Sequence, residues 1–282
     1  MRIPLRLKVL QTWLSQLLAR GPSAGRVKFA ELFHYLAQPG KIKRGMKWVE
    51  AQGVDEDGDQ WITIRDWQRK LYYPGGMAAG EFFASVHLIF NANDWHHYWR
   101  DTWRPSAGDL VIDCGAAEGL FSIEVARFGA DVYAFEPLPE FQRTFKKSIH
   151  PSDRITLIPK AVGVQECSVS FGGESNGAKV SHGGELIVEI TTLDAALFSL
   201  GKKVSLIKAD IEGFEYDMLL GAAKLIERDC PDLAITVYHD QNNVPQIRDF
   251  LLRCVPEYQI TTRGLELNGH PVMLFASVRC KH

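Results

Sequence analysis

Tryptophan is missing from everything after residue 103. All seven, Trp13, Trp48, Trp61, Trp67, Trp95, Trp99 and Trp103, lie at or before that point in a chain of 282 residues. Acidic side chains are as scarce at the start. Residues 1–49 hold Glu31 alone against ten Lys and Arg, a surplus of nine positive charges. Because the whole chain carries −2, the remainder carries −11. These shifts divide the chain into a basic, aromatic-rich module over residues 1–104 and a second domain over 105–282, the first expected to cap an acceptor or mediate homo-oligomerisation.

No stretch of 18 uninterrupted apolar residues occurs, which excludes a helical membrane span. The five cysteines show no metal-ligand spacing and are odd in number, so free thiols in a reducing, cytoplasmic setting are expected. Nothing in a net charge of −2 calls for nucleic acid, and none is expected as a partner. The N-terminus, Met1 to Arg20, is basic and amphipathic but is too interrupted by Arg6, Lys8 and Gln11 for a signal peptide. It fits a helix packed on its own protein or on a second subunit, or peripheral contact with an anionic membrane.

What is present is a 46% hydrophobic, 23% charged chain with enough apolar material for a large core. Helices are expected over Val27 to Ala37 and Phe82 to Trp103, a strand over Trp61 to Trp67, and a turn over Tyr72 to Gly76. From Asp109 the pattern becomes regular. Strands are expected at Leu110–Asp113, Val132–Glu136, Ile155–Ile158, Ser205–Asp210 and Leu233–Tyr238. Helices are expected at Leu120–Phe128, Pro139–Ile149, Phe214–Glu227 and Val244–Val255, with extra short strands between Lys160 and Asp194. Alternating strands and helices imply a parallel, doubly wound α/β sheet. Tyr258–Thr262 and Val272–Val278 are joined too briefly for a helical crossover and should pair antiparallel. That C-terminal antiparallel strand is a mark of class I methyltransferase (Rossmann-like) sheets rather than of dehydrogenases.

The stretch Asp113-Cys114-Gly115-Ala116-Ala117-Glu118-Gly119 joins an apolar run to a helical one through a loop of little side-chain bulk, which suits a nucleotide-binding turn. Glu136, 23 residues beyond Asp113, closes the next strand, where a carboxylate can accept both hydroxyls of a ribose. The loop lacks the middle glycine of a dinucleotide fingerprint and carries Glu118 where a pyrophosphate would sit. An acidic loop suits a sulfonium better, favouring S-adenosyl-L-methionine over NAD. An NAD-linked oxidoreductase is the weaker alternative, and a methyltransferase-fold scaffold without catalysis is another.

Together with Phe135-Glu136-Pro137-Leu138-Pro139, Thr192-Leu193-Asp194, Ile207 to Glu215 (Ile-Lys-Ala-Asp-Ile-Glu-Gly-Phe-Glu) and Val237-Tyr238-His239, the loop resembles the FkbM family of S-adenosylmethionine-dependent methyltransferases over roughly residues 85–280. The resemblance implies methylation of a hydroxyl on a sugar or natural-product intermediate, with a small-molecule or glycan acceptor. The family loop usually carries Asn where this chain has Ala117. The residues expected to bind cofactor are Asp113, Gly115, Ala116, Ala117, Gly119, Glu136 and Pro137.

Asp210 and His239 end adjacent strands and should share the crevice at the carboxyl edge. His239 suits a general base because its pKa lies near neutrality. Asp210 suits orienting that base, binding the acceptor hydroxyl, or joining His239 in a Mg²⁺ site. Glu212 reads as a helix-cap residue and Lys208 as a partner for a carboxylate. Asp94, Trp95, His96, His97 and Trp99 read as core and cap packing, with Trp95 or Trp99 suited to contacting a sugar face.

Overall fold

The computed structural model describes residues 5–18, 27–38, 40–99, 103–172, 179–180, 186–239 and 243–278. The expected chain break at residues 21–25 and Cys280 lie outside them. In chain order the elements are α1 (Leu5–Leu18), α2 (Phe29–Ala37), α3 (Lys41–Gly45), β1 (Val49–Val54), β2 (Gln60–Ile64), β3 (Lys70–Tyr73) and α4 (Ala79–Phe90). Next come β4 (Leu110–Cys114), α5 (Leu120–Ala126), β5 (Asp131–Phe135), α6 (Pro139–Ser148) and β6 (Ile155–Ile158). Then follow β7 (Ala161–Val162), β8 (Cys167–Gly172), β9 (Lys179–Val180), β10 (Leu186–Thr191) and α7 (Leu193–Leu197). The chain continues through β11 (Leu206–Ala209), α8 (Glu215–Leu220), α9 (Ala223–Asp229), β12 (Asp232–Thr236), α10 (Asn243–Cys254), β13 (Tyr258–Arg263) and β14 (Met273–Val278).

Seven strands form the central sheet in the order β13-β14-β12-β11-β4-β5-β6. All are parallel except β14, which runs antiparallel to both neighbours and sits between β12 and β13. This is the class I methyltransferase arrangement. The strand order reverses between β4 and β11, so the crevice that doubly wound sheets use for ligands opens at their carboxyl ends. Strands β4 and β11 are buried at every position, because helices cover both faces. Two smaller sheets flank the main one: the meander β1-β2-β3 and the set β7-β10-β8-β9 between Lys160 and Asp194.

The core on one face of the main sheet runs without a break into the N-terminal segment. Phe82, Val86, Trp95 and Trp99 belong to the same cluster as Phe121, Val132 and Phe145. An acidic turn adds a second attachment. Asp55, Asp57 and Asp59, beside the β1–β2 connection, each place a carboxylate oxygen 2.7 Å from Lys147 Nζ on α6. Arg143, one turn earlier on α6, meets Asp59 at 2.6 Å.

Three local expectations need correction. The helix expected from Phe82 to Trp103 ends at Phe90. Asn and Asp side chains there compete for the backbone: Asn91 Oδ1 accepts from Asn93 N (3.3 Å) and Asp94 Oδ1 from His96 N (3.0 Å), folding the chain into turns. The single helix expected from Phe214 to Glu227 is two. Asp194 caps a new helix start by accepting from Lys224 N and Leu225 N at 3.0 and 2.9 Å. Tyr72 and Tyr73 belong to β3, and the turn begins only at Pro74, whose carbonyl accepts from Met77 N.

Candidate active site

A cavity of about 330 Å³ opens at the carboxyl ends of β4, β5 and β11, within the range of small-ligand sites. Its floor is the loop Gly115–Gly119. Gly115 holds φ +77°, and a Cβ there would stand 2.1 Å from the Asp210 carbonyl oxygen, so only glycine lets the β4 loop pass the end of β11. Gly119 (φ +83°) is equally constrained, since a Cβ on it would stand 2.1 Å from the Phe145 ring. Ala117 lies between them at φ +47°, a left-handed conformation that costs an alanine about 1–2 kcal/mol and that Asn tolerates better. The Asn usual in the resembled family therefore has a backbone reason beyond any polar contact.

That strained turn aims the Ala117 N–H at Glu136. Glu136 Oε2 accepts from Ala117 N and Oε1 from Leu138 N, both at 2.8 Å. The carboxylate lines the cavity along with Gly115, Ala116, Ala117 and Pro137. Burial pushes the Glu136 pKa up to about 7, against the pull of those two N–H groups and of Lys208. Glu118 is also on the wall and also raised by burial to about 7. Its charge is therefore conditional on what occupies the cavity, not fixed as its sequence position suggests.

Asp113 is placed differently. It is fully buried and absent from the cavity wall, with Oδ1 2.8 Å from Lys208 Nζ and Oδ2 accepting from Ser122 Oγ at 2.6 Å. Lys208 also donates to the Gly115 carbonyl at 2.7 Å. The pair thus ties β11 to β4 and fixes the first residue of the loop. Burial works to lower the Lys208 pKa, but Asp113 and Asp210 outweigh it and the ammonium is favoured. Replacing Lys208 with Met should cost about 3–5 kcal/mol of stability, because it strands the Asp113 carboxylate in the core. Chemical denaturation measures this, and a loss under about 1 kcal/mol would contradict the role.

Asp210 does line the cavity, across the glycine loop from Glu136. Its Oδ2 accepts from Tyr98 Oη at 2.8 Å and lies 3.2 Å from His96 Nε2, while Oδ1 takes the Thr236 hydroxyl at 3.3 Å. Burial works to raise its pKa, yet His96, Lys208 and Tyr98 hold it well below the usual carboxylate range. Tyr98 is correspondingly pushed far upward, by burial first and then by Asp210. His96 and Tyr98 reach Asp210 because the turns after Phe90 carry them off any helix. In the sequence His96 reads as packing, and the signal for its actual place is the Asn91, Asn93 and Asp94 series inside an aromatic stretch.

His239 is not among the residues lining the cavity. Its Nδ1 lies 3.1 Å from Glu215 Oε1 and its Nε2 3.3 Å from Glu212 Oε2. Burial works to lower its pKa, but Glu215 outweighs it and the imidazole is pushed upward, toward the protonated form. Asp210, Glu215 and His239 do bring ligand atoms within 4.8 Å of one another. The Glu215 Oε1 atom, however, already accepts from Ile211 N, Gly213 N and Thr236 Oγ1 as well as facing His239. A hard Mg²⁺ ion needs free oxygen ligands, and here Glu215 Oε1 is committed and the imidazole favours a proton.

Segments before Leu110 add to the wall Met77, then Glu81, Ser85, Leu88 and Ile89 on α4, and Tyr98, while the small sheet adds Val162, Val169 and Ile190. Trp95 stacks on Tyr35 at 4.0 Å and Trp99 packs on Phe121, so neither indole lines the cavity. Five acidic residues line the cavity, Glu81, Glu118, Glu136, Asp210 and Glu212, against Lys160 and Lys208. Such a wall fits a cationic ligand with hydroxyl donors better than a pyrophosphate.

A model of the methyltransferase FkbM domain matches residues 113–258. The chain belongs to the FkbM methyltransferase family. Among solved structures, the FkbM methyltransferase of Methylobacillus flagellatus KT is 21% identical, covering 69% of this chain and 54% of that one with a TM-score of 0.50. This FkbM-family chain thus spans about half the length of that structure. A precorrin-6y C5,15-methyltransferase of Geobacter metallireducens GS-15 is 11% identical (62% of this chain, 82% of that one, TM-score 0.38). A chain from Streptococcus mutans in complex with SAH is 12% identical (61% and 90%, TM-score 0.42). No curated protein matches the sequence. Among the described residues, no helix is long and apolar enough to cross a membrane.

Proposed function

We propose that this family member transfers a methyl group from S-adenosylmethionine to a hydroxyl of a sugar or natural-product intermediate, in the cytoplasm. The observation that carries the reading is the pair of cavity-lining carboxylates, Glu136 and Asp210, held on either side of the glycine loop by different partners. When bound, the cofactor supplies an electrophilic methyl group on a cationic sulfur. Glu136 has lone pairs left over after its two backbone N–H partners, enough to accept the ribose hydroxyls. Ala116, Ala117, Gly115 and Pro137 frame that end, and the acidic wall suits the positive charge. Residues 1–104 serve as the acceptor cap, α4 lining the cavity next to the glycine loop, where Ser85 meets Glu118.

Asp210 receives the acceptor hydroxyl as a hydrogen bond and sets its line of approach. An oxygen that is being alkylated becomes strongly acidic, so even a carboxylate of low pKa suffices to take its proton. His96, at 3.2 Å, keeps Asp210 ionised and oriented before the transfer. This assignment gives the base role to Asp210 and leaves His239 to position the Ile211–Phe214 turn through Glu215. It needs no metal.

A pH dependence follows for the cofactor. Hydroxyl donors and a cation favour the ionised form of Glu136, whose free pKa is about 7. Binding therefore expels a proton at lower pH. Affinity for S-adenosylmethionine should weaken by up to about tenfold per unit as pH falls below about 7, and level off above it. Titration calorimetry in buffers of different ionisation enthalpy reads the proton release directly. A flat dissociation constant from about pH 5.5 to 7 would count against the Glu136 role. The reading as a whole is tested by equilibrium binding: no affinity for S-adenosylmethionine at millimolar concentration would leave a scaffold.

A further inference from the structure

Helix α1 turns a mixed side inward, Val9 and Trp13 beside Thr12 and Gln16. Thr12 donates to the Leu267 carbonyl (3.1 Å), Gln16 to the Gly269 carbonyl (2.6 Å) and the Trp13 indole to the Val27 carbonyl (2.8 Å). Val9, on that same side, is buried. The opposite side, at the spacing that keeps residues on one helical face, carries Leu7, Leu14 and Leu18, with Leu17 beside them. These are 45%, 45%, 83% and 45% exposed. Trp13 leads across to α2, where Phe29 lies 5.9 Å from it and Phe33 stacks on Phe29 at 6.5 Å. Both phenylalanines are about two-thirds exposed, at 65% and 64%. Four exposed leucines on one helix and two exposed aromatics on the helix it touches are a larger apolar surface than scattered side chains make.

We infer that this α1–α2 face is a docking surface for an anionic lipid bilayer. Lys8 and Lys28 are exposed at its margins, within a module whose first 49 residues hold ten basic side chains and one acidic one. Apolar side chains entering the headgroup region, ringed by cations that neutralise acidic lipids, is the physical form of interfacial binding. The alternative occupant, a second copy meeting the same face, would bring like charges together, Lys8 and Lys28 standing exposed on both copies. The surface is independent of the methyl-transfer assignment.

The test is co-sedimentation of the full chain with vesicles of phosphatidylcholine alone and of equimolar phosphatidylcholine and phosphatidylglycerol, beside the double variant Phe29→Ser/Phe33→Ser. The wild type should bind the anionic vesicles, more weakly as salt rises past about 0.1 M, and neutral ones poorly. The double variant should lose about 10- to 100-fold in vesicle affinity with an unchanged Tm, since both side chains are solvent-exposed. Absence of binding to anionic vesicles, equal binding by the variant, or a wild-type dimer in sedimentation velocity that the variant dissolves would each overturn the inference.

Discussion

Asp210→Asn is expected to lower turnover by about 10²–10⁴-fold while S-adenosylmethionine affinity stays within about threefold. The amide keeps the volume of the side chain and loses what the reaction needs, a proton acceptor at the cavity wall. Tyr98 and His96 both present hydrogen-bond donors to Oδ2, so an Asn NH₂ group turned toward them would meet donors, and turned toward the cavity would face the hydroxyl with the wrong polarity. Two comparisons sharpen the result. His239→Ala, behind Glu212 and off the cavity wall, should cost less than about tenfold if Asp210 is the acceptor of the proton. His96→Gln should lower turnover and shift its acid limb, since it acts through Asp210. An Asp210→Asn enzyme within about tenfold of wild type would remove the carboxylate from the chemical step.

Glu136→Gln should weaken S-adenosylmethionine binding by about 10²-fold, roughly 2.7 kcal/mol, with turnover at saturating cofactor changed little. The carboxylate accepts from Ala117 N and Leu138 N at the same 2.8 Å. An amide offers one oxygen, so its NH₂ must point at one of those N–H groups and the loop has to move. The hydrogen bonds lost are to a charged acceptor, worth about 1.5–3 kcal/mol each. The variant should also lose the Glu136 share of the pH dependence of binding below about pH 7, leaving only what Glu118 contributes, whereas a merely structural defect would leave both in place. A dissociation constant within about threefold of wild type would contradict the ribose assignment.

The sheet was legible where burial is complete. Strands β4, β5, β6, β11 and β12 stand within about two residues of their expected ends, and β4 and β11, covered on both faces, read as nearly unbroken apolar runs. The antiparallel tail was legible from the shortness of its connection. Glu136 was found because a strand end fixes where its side chain goes. Lys208 announced a partner by being a charge in the middle of such a strand, and Asp113, expected at the cofactor, is that partner. What failed was local competition and long-range pairing. Asx turns after Phe90 and the Asp194 cap on α9 overrode helical periodicity. The contacts of His96 and Tyr98 with Asp210 cross more than 110 residues, and no spacing rule reaches that far. Strand β1 lacks clean alternation because one face packs on little, its residues being exposed or half-buried.

Strand β14 sits inside the sheet although β13 precedes it in the chain. Among the described residues Tyr258–Arg263 therefore has no strand to pair with until Met273–Val278 has taken its place in the sheet. Until Met273–Val278 slots against β12, the growing chain carries an unclaimed edge on β12 and an unclaimed strand beyond it, both open to the wrong partner. Closure of the sheet thus waits on its last strand in chain order, and a chain cut before Met273 should expose the β12 edge and aggregate.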